Sequence, residues 1–361
     1  MTTHAHPDFA VAVQAVIDRY PLRGGIIVLL CVVSGCYILY HSVVLFAILA
    51  RMFVLPKARP NKTVQVDKRR LSIANGSWAV ITGASDGIGR EFALQLAAKA
   101  FNILLISRSK GKLDVVADEV RKINPNAEVI VLPFDFTKAH GAPGARNPAP
   151  EPGVPASANN YEVLKAAIDK IDVGVLVNNV AVNHAFPVPF MEESESLIED
   201  IVEVDVLAQM RMARMVLPQM LARKAGTIIN IGSMAGKVPS ALLSVYSGSK
   251  AFLRFWSQAL ALEVRGKGVH VEHVNTYFVA TNMSKIRKPT MLSPTPKDYV
   301  ASVLQEVGNS INSTPYPPHR LLNWVLDNFV SEKEQITQSA GMHHSIRQRA
   351  LAKIAREAKQ Q

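Results

Sequence analysis

The sequence predicts an α/β protein with a doubly wound parallel sheet, preceded by one transmembrane helix. Short apolar segments typical of buried strands alternate with longer segments of helical periodicity between residues 78 and 274. A glycine-rich turn directly follows the first of these strands, and a charge-free apolar run precedes them all. Alternating strands and helices favour parallel pairing, because each helix carries the chain back across the sheet before the next strand begins.

Composition sets the broad class. With 361 residues and 48% apolar content, the chain is long enough for one large domain or two small ones with a true core. The two cysteines, Cys31 and Cys36, both lie in the apolar run, so the sequence offers no disulfide framework and we predict no metal site. The absence of cysteine from the rest of the chain fits a reducing compartment.

The net charge of +11 is confined to three patches. Residues 51–70 contain seven cations and one acid, and residues 343–361 contain five cations and one acid. Lys285, Arg287 and Lys288 form the third patch, and together the three account for the whole excess. Since the first patch directly follows an apolar run, it is typical of a segment beside a membrane, and we do not expect nucleic acid as a partner.

Residues 26–50 form a run of 25 residues without a charge. As a helix this run extends about 38 Å, enough to cross a hydrocarbon core of about 30 Å. A cleaved signal peptide is the alternative, but the run is too long and no small-residue cleavage pattern follows it. The cations after the run outnumber Arg19 and Arg23 before it, so the body of the protein is expected in the cytosol. We therefore expect a tail over 1–25, an anchor over 26–50 and a basic linker over 51–75.

A buried strand over 78–82 is followed at once by a glycine-rich turn and then by a helical pattern. This order is typical of a Rossmann-type nucleotide-binding unit, because the glycines let the backbone approach a pyrophosphate and the helix N-terminus supplies free N–H groups. A loop that merely contains glycines is the alternative interpretation. The residues expected to bind a dinucleotide are Gly83, Ser85, Asp86, Gly87, Ile88 and Gly89.

The second strand, over 102–106, ends in Ser107-Arg108-Ser109. A dehydrogenase specific for NAD carries an acid here for the ribose hydroxyls, whereas the Arg108 guanidinium suits a 2′-phosphate. We therefore expect NADPH rather than NADH as the cofactor. A helix over 111–123 and a strand over 128–134 follow, and Asp135 at the end of that strand is expected to contact adenine.

The alternation continues through the second half of the chain. The expected elements are a helix over 161–170, a strand over 173–177, a helix over 194–222, a strand over 226–231, a helix over 246–264 and a strand over 270–274. Residues 138–160 are rich in Pro, Ala, Gly and Asn and predict a flexible insertion.

Tyr246 and Lys250 stand one turn apart on a predicted helix, so their side chains share a face. The ammonium favours the phenolate and is expected to lower the tyrosine pKa from about 10 toward a working pH. A phenol placed in this way is a proton donor. The spacing also describes an ordinary exposed helix pair, and the motifs upstream decide between the two interpretations.

Taken together, the motifs resemble the short-chain dehydrogenase/reductase family over about residues 76–285. They appear in the family's order and approximate spacing, and they are the turn 82–89, the pair Asn178-Asn179, Ser233 and the segment 246–250. The resemblance implies that Tyr246 gives its proton to a substrate carbonyl oxygen and that Ser233 hydrogen-bonds this oxygen. It implies that Lys250 lowers the tyrosine pKa and holds the nicotinamide ribose.

Further positions are assigned through the same resemblance. It places Asn178, Val279 and Thr281 at the cofactor. Asp205 stands where most members carry an asparagine that supports a water relay to the lysine through its backbone carbonyl, and it is therefore included among the catalytic residues. Its added carboxylate is expected to alter the charge balance at Lys250. Ala181 replaces the family's usual glycine and adds a methyl group near the nicotinamide.

The segment 277–288, after the last predicted strand, resembles that of the membrane-bound very-long-chain 3-oxoacyl-CoA reductases of fatty-acid elongation. The resemblance implies reduction of long-chain 3-oxoacyl-CoA to 3-hydroxyacyl-CoA at the endoplasmic-reticulum membrane, with other elongation proteins as partners. Lys285, Arg287 and Lys288 are then expected to meet coenzyme A phosphates, although a solvated loop facing the membrane is the alternative. Residues 286–361 are expected to form a substrate loop and a membrane-proximal region.

Two other functions stay open at this point. The related 17-beta-hydroxysteroid dehydrogenases share much of the 277–288 pattern, so a steroid or retinoid ketone reductase is the nearest alternative. A non-catalytic membrane scaffold is a second alternative, with Asp205 and Ala181 as marks of decay. A substrate panel separates the first from an acyl-CoA reductase, and a cofactor titration separates the second.

Overall fold

A computed structural model of the chain describes residues 11, 14–15, 18–19, 21–50, 77–139 and 160–359. The chain divides into two compact units, Met1–Lys57 and Ala58–Gln361, and each is described by itself. The basic linker expected over 51–75 lies outside the described residues, as does most of the insertion expected over 138–160.

The first unit contains helix α1, Pro21–Leu49. Within it, Leu29–Leu49 is long and apolar enough to cross a membrane. Large apolar side chains such as Leu39 and Phe46 are exposed along this helix. The helix covers the apolar run from which the sequence predicts an anchor.

The second unit is built on a parallel sheet whose order is β3–β2–β1–β4–β5–β6–β7 in the described part of the chain. The strands are β1 Trp78–Thr82, β2 Asn102–Ser107, β3 Val129–Pro133, β4 Val173–Asn178, β5 Gly226–Ile231, β6 Val269–Val274 and β7 Asn312–Ser313. Every neighbouring pair is parallel, so the predicted doubly wound sheet is confirmed.

Helices cover both faces of this sheet. They are α2 Gly87–Ala97, α3 Lys110–Ile123, α4 Tyr161–Ile168, α5 Glu195–Val202, α6 Gln209–Ala222, α7 Ser244–Glu263 and α8 Pro296–Glu306. Two more helices follow the last strand, α9 Pro317–Phe329 and α10 Glu332–Ala358. Helix α10 begins with a capping box, in which the side chains of Ser331 and Glu334 satisfy each other's backbone N–H groups.

The core consists of two apolar layers, one on each face of the sheet. Successive strand residues point to opposite faces, so β1 contributes to both layers. Ala79 and Ile81 belong to the layer under α2, α3 and α8, and Trp78 and Val80 belong to the layer under α4, α6 and α7. Burial on both faces explains why the strands read as continuous apolar runs rather than as alternating patterns.

The single helix predicted over 194–222 is interrupted. A π-helical segment, Glu203–Ala208, separates α5 from α6. Its wider turns bury two carboxylates, and each of them has a cation as a partner: Glu203 pairs with Arg211, and Asp205 pairs with Lys250. Hydrophobic periodicity does not predict a π-helical segment. The segment depends on the partners of its two buried carboxylates, and these partners lie outside it.

The order of the strands determines where a ligand can bind. The chain adds β2 and β3 on one side of β1 and then crosses to place β4 on the other side. The loops after β1 and β4 therefore diverge, which leaves a crevice at the carboxyl ends of the strands. The glycine turn follows β1 at this edge, and the loop that contains Asn179 follows β4.

Candidate active site

The turn after β1 depends on its glycines. Gly83 and Gly87 have positive φ angles of 65° and 56°, which other residues rarely adopt. A Cβ atom on Gly83 would lie 2.9 Å from the Asn179 amide nitrogen, and one on Gly89 would lie 2.3 Å from the Gly83 carbonyl oxygen. Asp86 caps α2 by accepting a hydrogen bond from the Gly87 N–H at 2.7 Å. This compact turn leaves the start of α2 open to a phosphate, as a dinucleotide site requires.

A cavity of about 960 Å³ lies at the carboxyl ends of the strands. Most of the predicted site residues line it, and these are Gly83, Ser85, Asp86, Gly87, Ile88, Arg108, Asp135, Val279, Thr281, Ser233, Tyr246 and Lys250. Ala181 also lines it. Gly89, Asn178 and Asp205 are predicted site residues that do not line it.

The two asparagines after β4 have different environments. The sequence predicts Asn178 at the cofactor, but its fully buried amide donates to the Gln209 carbonyl at 3.2 Å and to Asn230 Oδ1 at 2.9 Å. Asn179 lines the cavity instead, and its amide donates to the Thr82 carbonyl at 3.0 Å. Asn178 thus joins β4 to β5 and to the start of α6, whereas Asn179 faces the cofactor crevice.

Two cations stand at the end of the cavity beside β2. Arg108 follows the strand and Lys112 lies in the first turns of α3, and both are exposed and line the cavity. Ser85 and Ser107 join the glycine turn to β2 through a hydrogen bond of 2.8 Å between their hydroxyls. The sequence analysis predicts Arg108 at the cofactor but misses Lys112. Lys112 lies four residues after Arg108, and this spacing could have indicated a second cation at the same place. Two cations here fit a ribose 2′-phosphate.

Asp135 lies at the other side of this end of the cavity. Its carboxylate accepts hydrogen bonds from the Thr137 N–H at 3.1 Å and from the Thr137 hydroxyl at 2.9 Å. These bonds fix the short turn Phe136–Lys138 that follows β3. The residue therefore lines the cavity in a held orientation, as expected for a contact to adenine.

Three of the groups that the sequence predicts to be catalytic come from β5 and α7. Ser233 follows β5, and Tyr246 and Lys250 lie on α7 with only 8% and 2% of their surfaces exposed. The Lys250 ammonium nitrogen is 5.5 Å from the centre of the Tyr246 ring. The turn after Ser233 packs tightly on α7, because a Cβ atom on Gly236 would lie 2.5 Å from the backbone of Lys250. The packing of this turn against the helix brings Ser233 to the tyrosine.

Asp205 forms a buried ion pair behind these groups. Its Oδ2 atom is 3.1 Å from the Lys250 ammonium nitrogen, and neither side chain is more than 2% exposed. Its Oδ1 atom accepts a hydrogen bond of 2.7 Å from the Val182 N–H. Asp205 does not line the cavity, and its contacts are with Lys250, Val182 and Ser249.

The ion pair changes the expected protonation of the tyrosine. Burial raises the pKa of Tyr246, and Asp205 raises it further, while Lys250 and a hydrogen bond with Ser233 lower it. The net direction is upward, so the expectation that Lys250 brings the phenol pKa down toward a working pH is wrong for this state of the protein. Burial lowers the pKa of Lys250, but Asp205 and Tyr246 raise it above its ordinary value. Lys250 is therefore a protonated cation.

The rest of the cavity is lined largely by apolar side chains. Those from the loop after β4, the turn before α7 and the two C-terminal helices are Phe186, Leu243, Leu322, Leu326, Met342 and Ile346. Polar side chains on α10, including Gln338 and His343, complete this wall. The sequence predicts a substrate loop and a membrane-proximal region over 286–361, but it does not predict that α9 and α10 line the cavity.

Polar contacts hold these helices against the domain. Arg347 on α10 donates to the Pro187 carbonyl at 3.2 Å and pairs with Glu192 at 2.5 Å. Lys237, after β5, donates to Asn323 Oδ1 on α9 at 2.6 Å. The apolar wall is thus joined to the domain at two places.

The cations of segment 277–288 separate in the structure. Lys285 lines the cavity and donates to the Ala185 carbonyl at 2.5 Å, with a positive φ angle of 57°. Arg287 and Lys288 are exposed and do not line it. One of the three cations is therefore part of the site, and the other two lie on the adjoining loop.

The loop after β4 also contains a buried pair that the sequence did not reveal. His184 Nε2 lies 2.5 Å from Glu193 Oε1, and each side chain is only 1% exposed. His184 lines the cavity. The pair closes the loop on itself and so shapes the wall that carries Phe186.

Comparisons with known proteins match the part of the chain that contains the predicted site residues. The family model described as short chain dehydrogenase matches residues 77–147 and 154–291. A very-long-chain 3-oxoacyl-CoA reductase of Phaeosphaeria nodorum is 42% identical over 296 residues, which cover 79% of this chain and 82% of that protein. A protein of the same name from Mycosarcoma maydis is 39% identical over 322 residues, which cover 87% of this chain and 86% of that protein.

Solved structures share the fold. A 7beta-hydroxysteroid dehydrogenase structure matches with a TM-score of 0.63 at 23% identity and covers 73% of this chain and 97% of its own. A short-chain dehydrogenase from Sphingobium yanoikuyae in complex with NADPH matches with a TM-score of 0.57 at 25% identity and covers 70% of this chain and 92% of its own. The family model covers strands β1 to β6, the fungal relatives cover 79% and 87% of this chain, and the chain accordingly belongs to the short-chain dehydrogenase/reductase family and is an oxidoreductase.

Proposed function

We propose that this protein uses NADPH to reduce very-long-chain 3-oxoacyl-CoA to 3-hydroxyacyl-CoA, as a step of fatty-acid elongation. One observation carries the proposal: Ser233, Tyr246 and Lys250 lie where a dinucleotide crevice meets a cavity with an apolar wall. The fungal relatives named very-long-chain 3-oxoacyl-CoA reductase support this choice of substrate.

The chain's own residues supply orientation and a proton. Bound NADPH provides the hydride that attacks the C3 carbonyl carbon of the acyl group. Ser233 donates a hydrogen bond to the carbonyl oxygen, and Tyr246 gives its phenolic proton to that oxygen as negative charge develops on it. The products are the 3-hydroxyacyl thioester and the oxidised cofactor, and the tyrosine regains its proton from solvent. Lys250 holds its positive charge beside the tyrosine throughout.

The cofactor preference rests on the cations beside β2. Arg108 and Lys112 give a 2′-phosphate two charge-assisted partners in one place. The Sphingobium relative was solved in complex with NADPH, which supports the same choice. Asp86 caps α2 and leaves the remaining N-terminal N–H groups of that helix to the pyrophosphate.

The substrate assignment uses the two kinds of surface in the cavity. A long acyl chain fits the apolar wall, which includes Phe186 and Ile346, because the wall removes the chain from water. The coenzyme A phosphates fit the cationic segment that begins at Lys285 and continues with the exposed Arg287 and Lys288. Of the three cations, Lys285 is the one that lines the cavity, and we assign it to the coenzyme A phosphate nearest the acyl group.

The protein is proposed to work at the endoplasmic-reticulum membrane, with α1 as its anchor and the reductase unit in the cytosol. The length and apolar character of Leu29–Leu49 support the anchor. The seven cations in residues 51–70 support the orientation, because positive charge is retained on the cytosolic side. Other elongation proteins in the same membrane are the proposed partners.

Replacing the proton donor tests the proposal. Tyr246→Phe removes only the phenolic hydroxyl, so NADPH binding should persist while reduction of long-chain 3-oxoacyl-CoA falls by about 10²- to 10⁴-fold. NADPH fluorescence measures binding, and NADPH consumption measures turnover. Tyr316→Phe is the matched control, since Tyr316 does not line the cavity. Undiminished turnover in Tyr246→Phe would refute the mechanism, and faster turnover of steroid ketones than of acyl-CoA would refute the substrate.

A further inference from the structure

The carboxylate of Asp205 has three partners in the folded protein: the Val182 N–H, the Lys250 ammonium and the Ser249 hydroxyl. Its Oδ1 atom accepts the Val182 N–H at 2.7 Å, and its Oδ2 atom lies 3.1 Å from the Lys250 ammonium nitrogen. The side chain is fully buried, and the π-helical segment Glu203–Ala208 turns it toward the interior. Asp205 lines no part of the cavity. Its influence on the reaction must therefore pass through these three partners.

The hydrogen bond alone does not explain a carboxylate at this position. An asparagine side chain would accept the Val182 N–H with its carbonyl oxygen equally well. Burying a carboxylate costs several kcal/mol unless a cation pairs with it. The feature that only aspartate supplies is negative charge beside Lys250, so the role of the residue is to be sought in that charge.

The charge matters because Lys250 stands next to the proton donor. An unneutralised ammonium near a buried phenol favours the phenolate, and a phenolate cannot protonate a carbonyl oxygen. A unit charge about 6 Å away shifts a pKa by on the order of two units at an effective dielectric constant of about 20. The Asp205 carboxylate opposes this effect of Lys250 and adds a repulsion that disfavours negative charge on Tyr246.

We propose that Asp205 is a positioning residue for the proton donor: its buried carboxylate neutralises Lys250 and so keeps the phenolic proton on Tyr246 until the substrate carbonyl accepts it. The catalytic meaning of this inference rests on the proposed function. The ion pair itself is a feature of the structure and does not depend on that proposal. The site then starts each cycle as a protonated acid over a wide range of alkaline pH.

Other titratable groups around the pair do not supply this charge. His273 on β6 faces Lys250, and burial lowers its pKa to about 4, so it is neutral in the alkaline range. His343 on α10 lines the same cavity, and burial lowers its pKa as well. His184 lies in the cavity wall and pairs with Glu193. The positive charge of Arg254 on α7 lowers the pKa of His273 further. Asp205 is the acid in direct contact with Lys250.

The experiment compares the pH dependence of kcat/KM for NADPH-dependent reduction in the full-length protein and in Asp205→Asn. The variant keeps an acceptor for Val182, and it replaces the charged oxygen that faces Lys250 with an uncharged amide NH2 group. The alkaline limb should move to lower pH by on the order of one to two units, because the unopposed Lys250 cation lowers the tyrosine pKa. An alkaline limb in Asp205→Asn that coincides with that of the unsubstituted protein would overturn the proposal.

Two controls separate charge from structure. Glu199→Gln removes an exposed carboxylate on α5 and should leave the pH profile unchanged. Asp205→Ala removes both the charge and the acceptor for Val182. If the residue served only to hold Val182, Asp205→Ala would be impaired while Asp205→Asn kept the original profile, and the proposal would fail.

A direct titration makes the test independent of the substrate. Phenolate absorbance is followed against pH for each protein, and the curve of its Tyr246→Phe counterpart is subtracted. The Tyr246 midpoint should lie lower in Asp205→Asn than in the unsubstituted protein, and equal midpoints would refute the inference. If 3-oxoacyl-CoA proved not to be the substrate, this titration would still decide the role of Asp205.

Discussion

Adjacent asparagines after β4 show what a sequence motif leaves undecided at the scale of single residues. Successive residues at the end of a strand point in opposite directions, so only one of Asn178 and Asn179 can face the crevice. The motif predicts that an asparagine is present but not which of the two is used. The hydrogen bonds decide, because Asn178 binds Asn230 on β5 while Asn179 lines the cavity.

The relative position of the proposed catalytic pair was predictable for a different reason. Tyr246 and Lys250 lie on one helix, where a spacing of four residues fixes their relative position. The effect of Asp205 on them was not predictable in size, because the ion pair depends on a π-helical segment and on burial. The sequence could indicate a changed charge balance at Lys250, but the upward direction of the tyrosine pKa required the structure.

The cations beside β2 lead to a prediction about the cofactor. Arg108→Ala should raise the KM for NADPH by about 10- to 100-fold, since it removes a charge-assisted contact to the 2′-phosphate. The KM for NADH should change little, because NADH has no phosphate there. Initial rates with both cofactors measure the difference, and Lys112→Ala should act in the same direction.

Lys110→Ala is the matched control for this prediction. Lys110 lies in the same turn of α3 but pairs with Asp114 at 2.8 Å and does not line the cavity. It should leave both KM values unchanged. An equal rise in the KM for NADPH and NADH in Arg108→Ala would mean that Arg108 supports the fold of the site rather than the phosphate.

At the scale of elements, the sequence predicts well those elements that a local apolar pattern defines, and it predicts poorly those that depend on contacts between distant residues. Strand β1 was predicted with its observed bounds and β2 to within one residue, because burial on both faces gives an unmistakable apolar run. Residues Glu203–Ala208 and the placement of α10 over the cavity were missed. Both depend on contacts between distant parts of the chain, which local periodicity does not encode.

The wall formed by α10 yields a prediction about acyl chain length. Ile346→Trp should narrow the cavity and reduce kcat/KM for the longest 3-oxoacyl-CoA by about 10-fold or more, because filling the wall displaces methylene groups that each contribute about 0.8 kcal/mol when buried. Short-chain substrates should be turned over at nearly the original rate. A series of acyl-CoA chain lengths measures the profile.

Leu351→Trp provides the control on the same helix. Leu351 is exposed and does not line the cavity, so the same increase in size should leave the chain-length profile unchanged. If Ile346→Trp reduced the turnover of all chain lengths equally, the residue would affect the fold of the site and not the acyl wall.

At the scale of the whole molecule, the chain joins an apolar helix to an oxidoreductase unit. Helix α1 contains a segment long enough to span a bilayer, and the second unit contains the full set of residues proposed for hydride transfer. The basic residues 51–70 follow the apolar run in the sequence. A substrate with a very long acyl chain partitions into membranes, so an anchored enzyme would share its substrate's location.

Membrane topology gives the corresponding prediction. In sealed microsomes that contain the full-length protein, added protease should digest the reductase unit, because positive charge after the anchor retains it on the cytosolic side. Alkaline carbonate should leave the protein in the membrane pellet. A protein that resisted protease until detergent was added would contradict the proposed orientation, and a lumenal marker protein serves as the control for intact vesicles.

The position of α9 and α10 has a consequence for how this site can diversify. The match to the family ends at residue 291, whereas the helices that wall the acyl side begin at Pro317. Much of the proposed acyl wall therefore comes from a stretch of the chain beyond the family match, while Phe186 and Leu243 come from within it. On the proposed function, substitutions in the C-terminal stretch would change which acyl groups are accepted without altering hydride transfer. A compound that contacts Gln338 and Ile346 would bind a surface beyond the region that matches the family.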